Sequence, residues 1–176
     1  RIVPVPVRGY GAAIRGGIAA ARGRYIIMGD SDGQHDFAAC FPFVEKLREG
    51  YDVVVGSRTK GMAMEGAMTW KSRYIGTPAI TLVGKLLFAT PFSDFNCGLR
   101  GFTKASFELM NPRASGMEFA SEHIVKASLL ARRGQLKLTE IPITVHPDGR
   151  ERPPHLRPRR EGWRHLRIML LLSPLW

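Results

Sequence analysis

The chain has 176 residues, with 26 Lys and Arg against 15 Asp and Glu for a formal charge of +11, and it is 44% hydrophobic and 23% charged. That balance suits one globular domain and excludes a disordered tail, a collagen-like fibre and a coiled coil. The 2 cysteines, Cys40 and Cys97, form no CxxC pair, which excludes a disulfide framework and a cysteine-rich zinc module and suits a reducing compartment.

In chain order, Arg1 to Val7 reads as a short edge strand broken by Pro4 and Pro6. Gly9 to Arg22 is rich in small residues, with Ile14 and Ile18 on one helical face, and Gly23 stops it. Tyr25 to Met28 is an apolar strand and Gly29 to Asp36 a polar loop. Phe37 to Arg48 is an amphipathic helix ended by Gly50, with Asp36 placed to cap it. Asp52 to Val55 is a buried-type strand running into Gly56-Ser57-Arg58. This strand–helix–strand–helix–strand order is that of a parallel sheet covered by helices, where ligands bind beyond the carboxyl ends of the strands. The loops after Met28 and Val55 are therefore where chemistry is expected.

Further along, Lys60 to Met68 is a Gly- and Met-rich loop. Trp70 to Phe88 is mostly apolar, interrupted by Lys71, Arg73, Pro78 and Lys85, and reads as a pair of helices or a helix on a membrane surface. Ser93 to Phe102 is a polar turn and then a strand, Glu118 to Arg133 a helix, and Leu136 to Val145 a half-buried strand. Seven arginines crowd the stretch from Arg150 to Arg167. They make either a solvated basic face or a surface for nucleic acid, anionic lipid or a phosphorylated substrate. Glu161 to Leu172 is an amphipathic helix with Trp163, Arg164 and Arg167 among its leucines, a bilayer-interface composition. The apolar run from Ile168 to the end is far shorter than the roughly 20 residues of a spanning helix. With no initiator Met, the expectation is a piece of a longer protein.

The loop after Met28, Gly29-Asp30-Ser31-Asp32-Gly33-Gln34, carries the most chemistry. In extended chain its two carboxylates point the same way about 6.5 Å apart. At an effective dielectric near 20 they repel by about 3 kcal/mol, which a divalent cation would remove. Oxygen ligands, with Gln34 adding an amide oxygen, suit Mg²⁺ or Mn²⁺ completed by substrate phosphates. The alternative is plain turn chemistry before a helix.

Gly9-Tyr10-Gly11-Ala12-Ala13, then the Asp30 loop, Gly56-Ser57-Arg58 and Asp94-Phe95-Asn96-Cys97-Gly98-Leu99-Arg100 occur in this order. Together they resemble a family 2 glycosyltransferase of GT-A fold, closest to the polyprenyl-phosphate sugar transferases such as dolichol-phosphate mannosyltransferase and glucosyltransferase. The resemblance implies an α/β fold, with a Rossmann-like, mostly parallel sheet flanked by helices and its first strands missing. Residues 1–160 would be the catalytic domain. Residues 161–176 would be a membrane-interface helix, leading to any transmembrane segments outside this chain.

It also implies roles. Asp30, Asp32 and Gln34 would hold Mg²⁺ or Mn²⁺ on the diphosphate of a UDP- or GDP-sugar. Arg8, Gly9, Gly11 and Arg150 would join the two aspartates in binding that donor, through backbone approach and a helix N-terminus. The alternative for the glycines is tight helix packing. Arg58, with Arg100 and Arg157, would grip the acceptor phosphate; an ion pair is the alternative for Arg58, and a structural role for Arg100. Asp94 would lie near the reacting sugar, counted with Asp32 and Arg58 as catalytic, although a phosphate nucleophile needs no general base. Glu118 and Glu122 share a helix face as sugar contacts or solvated carboxylates. Cys97 reads as a small buried residue, and His123 as helix surface or packing.

Relatives begin with a Pro-x-x-Asn-Glu strand and a base-reading aspartate, and neither precedes Arg1. Pro153-Pro154-His155-Leu156-Arg157 resembles the glucosyl-type rather than the mannosyl-type branch, and no Gln-x-x-Arg-Trp signature of polymerising synthases is present. The expectation is metal-dependent, inverting transfer of one sugar from a nucleotide-sugar to a polyprenyl phosphate at the cytoplasmic face of a membrane. The alternatives are a soluble GT-A enzyme with a saccharide acceptor, a nucleotidyltransferase, or a basic nucleic-acid-binding module. The last lacks any helix-turn-helix or RNA-stacking signature.

Overall fold

The computed structural model describes residues 1–149 and 158–173. Its order is α1 (Tyr10–Ala20), β1 (Tyr25–Met28), a 3₁₀ turn (Phe37–Cys40), α2 (Phe41–Arg48), β2 (Val53–Ala63), a π turn (Ser72–Gly76) running into α3 (Thr77–Phe88), β3 (Arg100–Thr103), α4 (Lys104–Met110), α5 (Phe119–Arg132), β4 (Leu138–Val145) and α6 (Pro158–Leu171).

The four strands lie in the order β1-β3-β2-β4. β2 and β4 are parallel, and β3 runs antiparallel to both β1 and β2, so β1, β2 and β4 share one direction. The sheet is thus mixed rather than simply parallel. The reversal has a local cause: the Asp94–Leu99 loop lies at the edge where β1 and β2 end, so the strand leaving it must run back. Arg1 to Val7 forms no strand. Pro4 and Pro6 each lack the N–H a ladder requires.

Val53, Val54 and Val55 are consecutive and all fully buried, so both faces of the sheet are covered at its centre. α2 packs on the sheet, inserting Phe43 and Leu47, and α5 gathers α1, α3, α4 and α6 around Phe119 and Ile124. The caps follow the side chains. Asp36 accepts from Ala38 N at 2.8 Å at the start of the 3₁₀ turn, and Thr103 accepts from Ser106 N at 3.0 Å at the start of α4.

Candidate active site

Arg100 pairs with Met28 on one side and with Val55 on the other. One register therefore brings the carboxyl ends of β1 and β2 and the entry to β3 to a single edge. β1 delivers Asp30 and Asp32, β2 delivers Ser57 and Arg58, and the turn before β3 delivers Asp94 and Asn96. His35 lies among them: burial lowers its pKa, opposed by the charges of Asp30 and Asp32, with Arg58 and Asp94 also acting on it. Its Nδ1 is buried without a hydrogen-bond partner.

The carboxylate loop is braced by its own residues. Gln34 N donates to Asp32 Oδ1 at 3.1 Å, and Gly149 N donates to Asp32 O at 2.9 Å. Gln34 Nε2 donates to Ala67 O at 3.0 Å and His146 O at 3.5 Å, which leaves the amide oxygen for other partners. Asp30 lies against Gly98, where a Cβ would collide with Oδ2 and stand 3.5 Å from His35 Nε2. Tyr10 hydrogen-bonds Asp30; burial and that carboxylate both push the phenol well above its ordinary range. Among the described residues no three His, Cys, Asp or Glu side chains gather at metal-ligand spacing. The oxygen donors on offer are two carboxylates and one amide. That set fits a hard divalent ion whose remaining ligands come from phosphate or water.

Arg58 and Asp94 form one unit. Arg58 Nε donates to Asp94 Oδ2 at 2.6 Å and Nη2 to Oδ1 at 2.8 Å, while Arg58 N and Asn96 N donate to the same carboxylate at 3.1 and 3.3 Å. Asp94 is 0% exposed and the Arg58 side chain 17%. Burial opposes the Arg58 charge, but the Asp94 hydrogen bonds and charge outweigh it and the guanidinium pKa is raised. The turn is clamped from behind: Ser93 N and Oγ donate to Glu140 Oε2 at 2.7 and 3.0 Å, and Ser57 Oγ meets Ser93 Oγ at 2.7 Å. In front of the pair lies a 230 Å³ cavity that is also lined by Thr59, Arg73, Tyr74 and Thr77. Arg73 comes from the π turn, a geometry frequent at functional sites.

Several sequence expectations change here. Arg100 is fully buried, with Nε donating to Cys97 O at 2.9 Å, Nη1 to Ala120 O at 2.8 Å and Nη2 to Phe95 O at 3.3 Å. It is a scaffold residue rather than an acceptor-phosphate ligand, because it has no exposed surface. Gly9 and Gly11 pack so closely on Ser115 O and Ala114 O that neither can carry a Cβ, and Gly9 has φ +139°. Gly11 N and Ala12 N donate to Gly116 O and Ser115 O at 3.2 and 3.1 Å, so these helix-start amides serve packing rather than a nucleotide. Arg8 is exposed and lines a separate 530 Å³ cavity with Arg1 and Val5. Arg150 and Arg157 lie outside the described residues.

Glu122 accepts from Arg113 N and Ala114 N and pairs with Lys126 at 2.7 Å, a structural role. Glu118 accepts from Gly116 N at 3.3 Å and stands 4.0 Å from Arg164. Burial pushes the Cys97 thiol up to about 12, so it is no nucleophile. His123 is packing, buried among Phe102, Phe107 and Phe119. Sequence reasoning missed Tyr10, His35 and Arg73. The signals were a histidine directly after Gln34 and a lone arginine in an apolar helix.

A mixed α/β sheet with paired carboxylates at the carboxyl edge is the GT-A arrangement. The family model described as Glycosyl transferase family 2 matches residues 1–110, and the chain belongs to that family. It is 36% identical over 168 residues to the low-salt glycan biosynthesis hexosyltransferase Agl6 of Haloferax volcanii, covering 95% of this chain and 39% of that protein. It is 32% identical over 155 residues to the glycosyltransferase AglJ of the same organism, covering 88% and 49%. The chain thus spans half or less of these two curated relatives. Among solved structures it resembles glucosyl-3-phosphoglycerate synthase from Mycobacterium tuberculosis in complex with phosphoglyceric acid, with TM-score 0.64 and 19% identity over 96% of this chain and 57% of that one. The same enzyme with Mn²⁺, UDP-glucose and glycerol 3-phosphate gives TM-score 0.62 and 18% identity, over 97% and 57%. These likenesses show the fold.

Proposed function

We propose that this chain is the catalytic part of a glycosyltransferase that moves one hexose, with inversion, from a nucleoside-diphosphate sugar to a polyprenyl phosphate at a membrane surface. The observation that carries the proposal is the shared edge: two metal-competent carboxylates on one strand end, and a half-buried, carboxylate-clamped guanidinium facing a cavity on the next. Asp30 and Asp32, with Gln34, would hold Mg²⁺ or Mn²⁺, and that ion would neutralise charge developing on the leaving diphosphate. The synthase of like fold was solved with Mn²⁺ and a UDP-sugar, which supports that assignment.

Arg58 and Arg73 would take the acceptor phosphate, which is already an anionic nucleophile. Asp94 needs to remove no proton; clamped on Arg58, it holds the guanidinium in place. The membrane side is supported by exposed Trp70, Tyr74, Leu82 and Leu86, spaced in multiples of four along the π turn and α3 beside exposed Lys71, Arg73 and Lys85. No described helix is long and apolar enough to cross a membrane.

A soluble phosphorylated acceptor is the second reading, favoured by the glycerol 3-phosphate in the synthase of like fold. The test is transfer by the full-length protein in detergent, with Mg²⁺ or Mn²⁺, a panel of UDP- and GDP-sugars and a polyprenyl phosphate. A metal-dependent, lipid-extractable sugar is expected, reduced at least 100-fold by Asp32→Asn and by Arg58→Ala, since each removes a group acting on developing or reacting charge. Transfer to glycerol 3-phosphate with none to lipid would establish the second reading instead.

A further inference from the structure

Glu140 faces Val55 in the parallel pairing of β4 with β2, level with the end of the buried valine run. Its side chain is only 6% exposed, and both its oxygens are engaged. Oε2 accepts from Ser93 N at 2.7 Å and from Ser93 Oγ at 3.0 Å, and Oε1 pairs with Lys60 Nζ at 2.7 Å. Lys60 follows Arg58 and Thr59 on β2, and Ser93 immediately precedes Asp94. The contacts therefore close a ring: Arg58 to Asp94, along the chain to Ser93, across to Glu140, over to Lys60 and back along β2 to Arg58. Inside it, the Ser57, Thr59 and Ser93 hydroxyls lie 2.7 to 3.0 Å from one another. A buried carboxylate is costly unless its oxygens are satisfied. Among the described residues, every hydrogen-bond or ion-pair partner of Glu140 flanks the Arg58–Asp94 pair.

We propose that Glu140 is a positioning residue that fixes the direction of the Arg58 guanidinium and so sets the affinity of the site for the acceptor's phosphate. The inference rests on the reading of Arg58 as the phosphate-binding group, and it is the same for a lipid phosphate and a soluble one. Asp94 spends both oxygens on Arg58 Nε and Nη2, so the plane of the guanidinium follows the plane of that carboxylate. The carboxylate in turn follows the backbone of its own turn, through the Asn96 amide and the chain itself. Glu140 pins that turn to β4 and, through Lys60, ties it again to the strand that carries Arg58. It acts only through Ser93 and Asp94, and none of these contacts reaches the carboxylate loop. A tilt of the turn would swing the guanidinium relative to its cavity, and small misplacements of a binding group are expensive.

The test uses the full-length protein with Mn²⁺ and whichever phosphate the wild type accepts, polyprenyl phosphate or glycerol 3-phosphate. KM and kcat for that acceptor, and Mn²⁺–UDP affinity, would be measured for wild type, Glu140→Ala, Glu140→Gln and Ser93→Ala. In Glu140→Ala the acceptor KM should rise at least fivefold, while kcat changes less than threefold and Mn²⁺–UDP affinity less than twofold. Glu140→Gln keeps an oxygen for Ser93 and releases only Lys60, which is 56% exposed, so it should bring KM back to within twofold of wild type. Ser93→Ala loses the hydroxyl bond but keeps the N–H bond, and should raise KM twofold to fivefold; it carries the test if Glu140→Ala does not fold. An unchanged acceptor KM in the folded variant overturns the positioning role. So does an equal loss of Mn²⁺–UDP affinity, which marks general loosening, and so does Glu140→Gln as impaired as Glu140→Ala, which makes charge the cause. A wild type that transfers sugar to neither phosphate overturns the phosphate reading itself, and the positioning role with it.

Discussion

Two residues at the strand edge show how much of this site is held by what is absent. Gly98 is a glycine because Asp30 Oδ2 occupies the place of its Cβ. The carboxylate is fixed between that backbone and the Tyr10 hydroxyl, with His35 Nε2 close by. Arg100 carries the opposite lesson. Among the described residues it is the bulkiest fully buried side chain, and it ties Phe95, Cys97 and Ala120 carbonyls together, so it sets the loop that carries Asp94 without touching solvent. Gly98→Ala should push Asp30 aside while sparing the Arg100 bonds. The expected outcome is a tenfold or greater loss of Mn²⁺ affinity in the presence of UDP, read by electron paramagnetic resonance. Unaltered Mn²⁺ affinity in a folded Gly98→Ala protein would remove Asp30 from the metal set.

At the scale of elements, the π turn and α3 form one rod with two sides. Thr77, Thr81, Gly84 and Phe88 face the fold, and Trp70, Tyr74, Leu82 and Leu86 face out. If the outer side lies in a bilayer, full-length protein reconstituted with brominated lipid should show quenched tryptophan emission. Trp70→Phe should remove a measurable part of that quenching, whereas an equal quenched fraction in that variant would place the stripe in water. The sequence made β1, α2, α5, β4 and the amphipathic α6 legible because each carries its own periodicity and stop signals. α4 was not distinguished, being only 7 residues long and set by the Thr103 cap. The packing roles of Gly9, Gly11 and Arg100 were hidden for another reason. Each depends on a partner far away in the chain, at Ser115 or Ala120, and composition near the residue does not reveal it.

Across the whole molecule, the same burial that fixes the edge stores a pH dependence. His123 is fully buried, with Arg100 Nη1 3.5 Å from its Nδ1 and three phenylalanine rings around it. Burial first, and the Arg100 charge second, hold it well below the ordinary histidine range. His165 is shifted the same way. An unfolded chain protonates both near pH 6.5, while the native chain keeps them neutral to lower pH. The native state therefore binds fewer protons in that window. Stability is complete above pH 6.5 and is lost as pH falls from there toward the native values, by up to about 1.4 kcal/mol per pH unit for each histidine. Glu122 is also lowered, through Lys126 and the Ala114 and Arg113 amides outweighing burial, but its loss begins only below its ordinary value of 4.5. Hydrogen exchange of the α5 amides in the full-length protein, corrected for intrinsic rates, should thus show protection falling from pH 7.5 to 5.5. His123→Phe, which adds a fourth ring to the cluster, should flatten that slope relative to wild type. An unchanged slope would mean that His123 takes up its proton over the same pH range in the native core as in the unfolded chain.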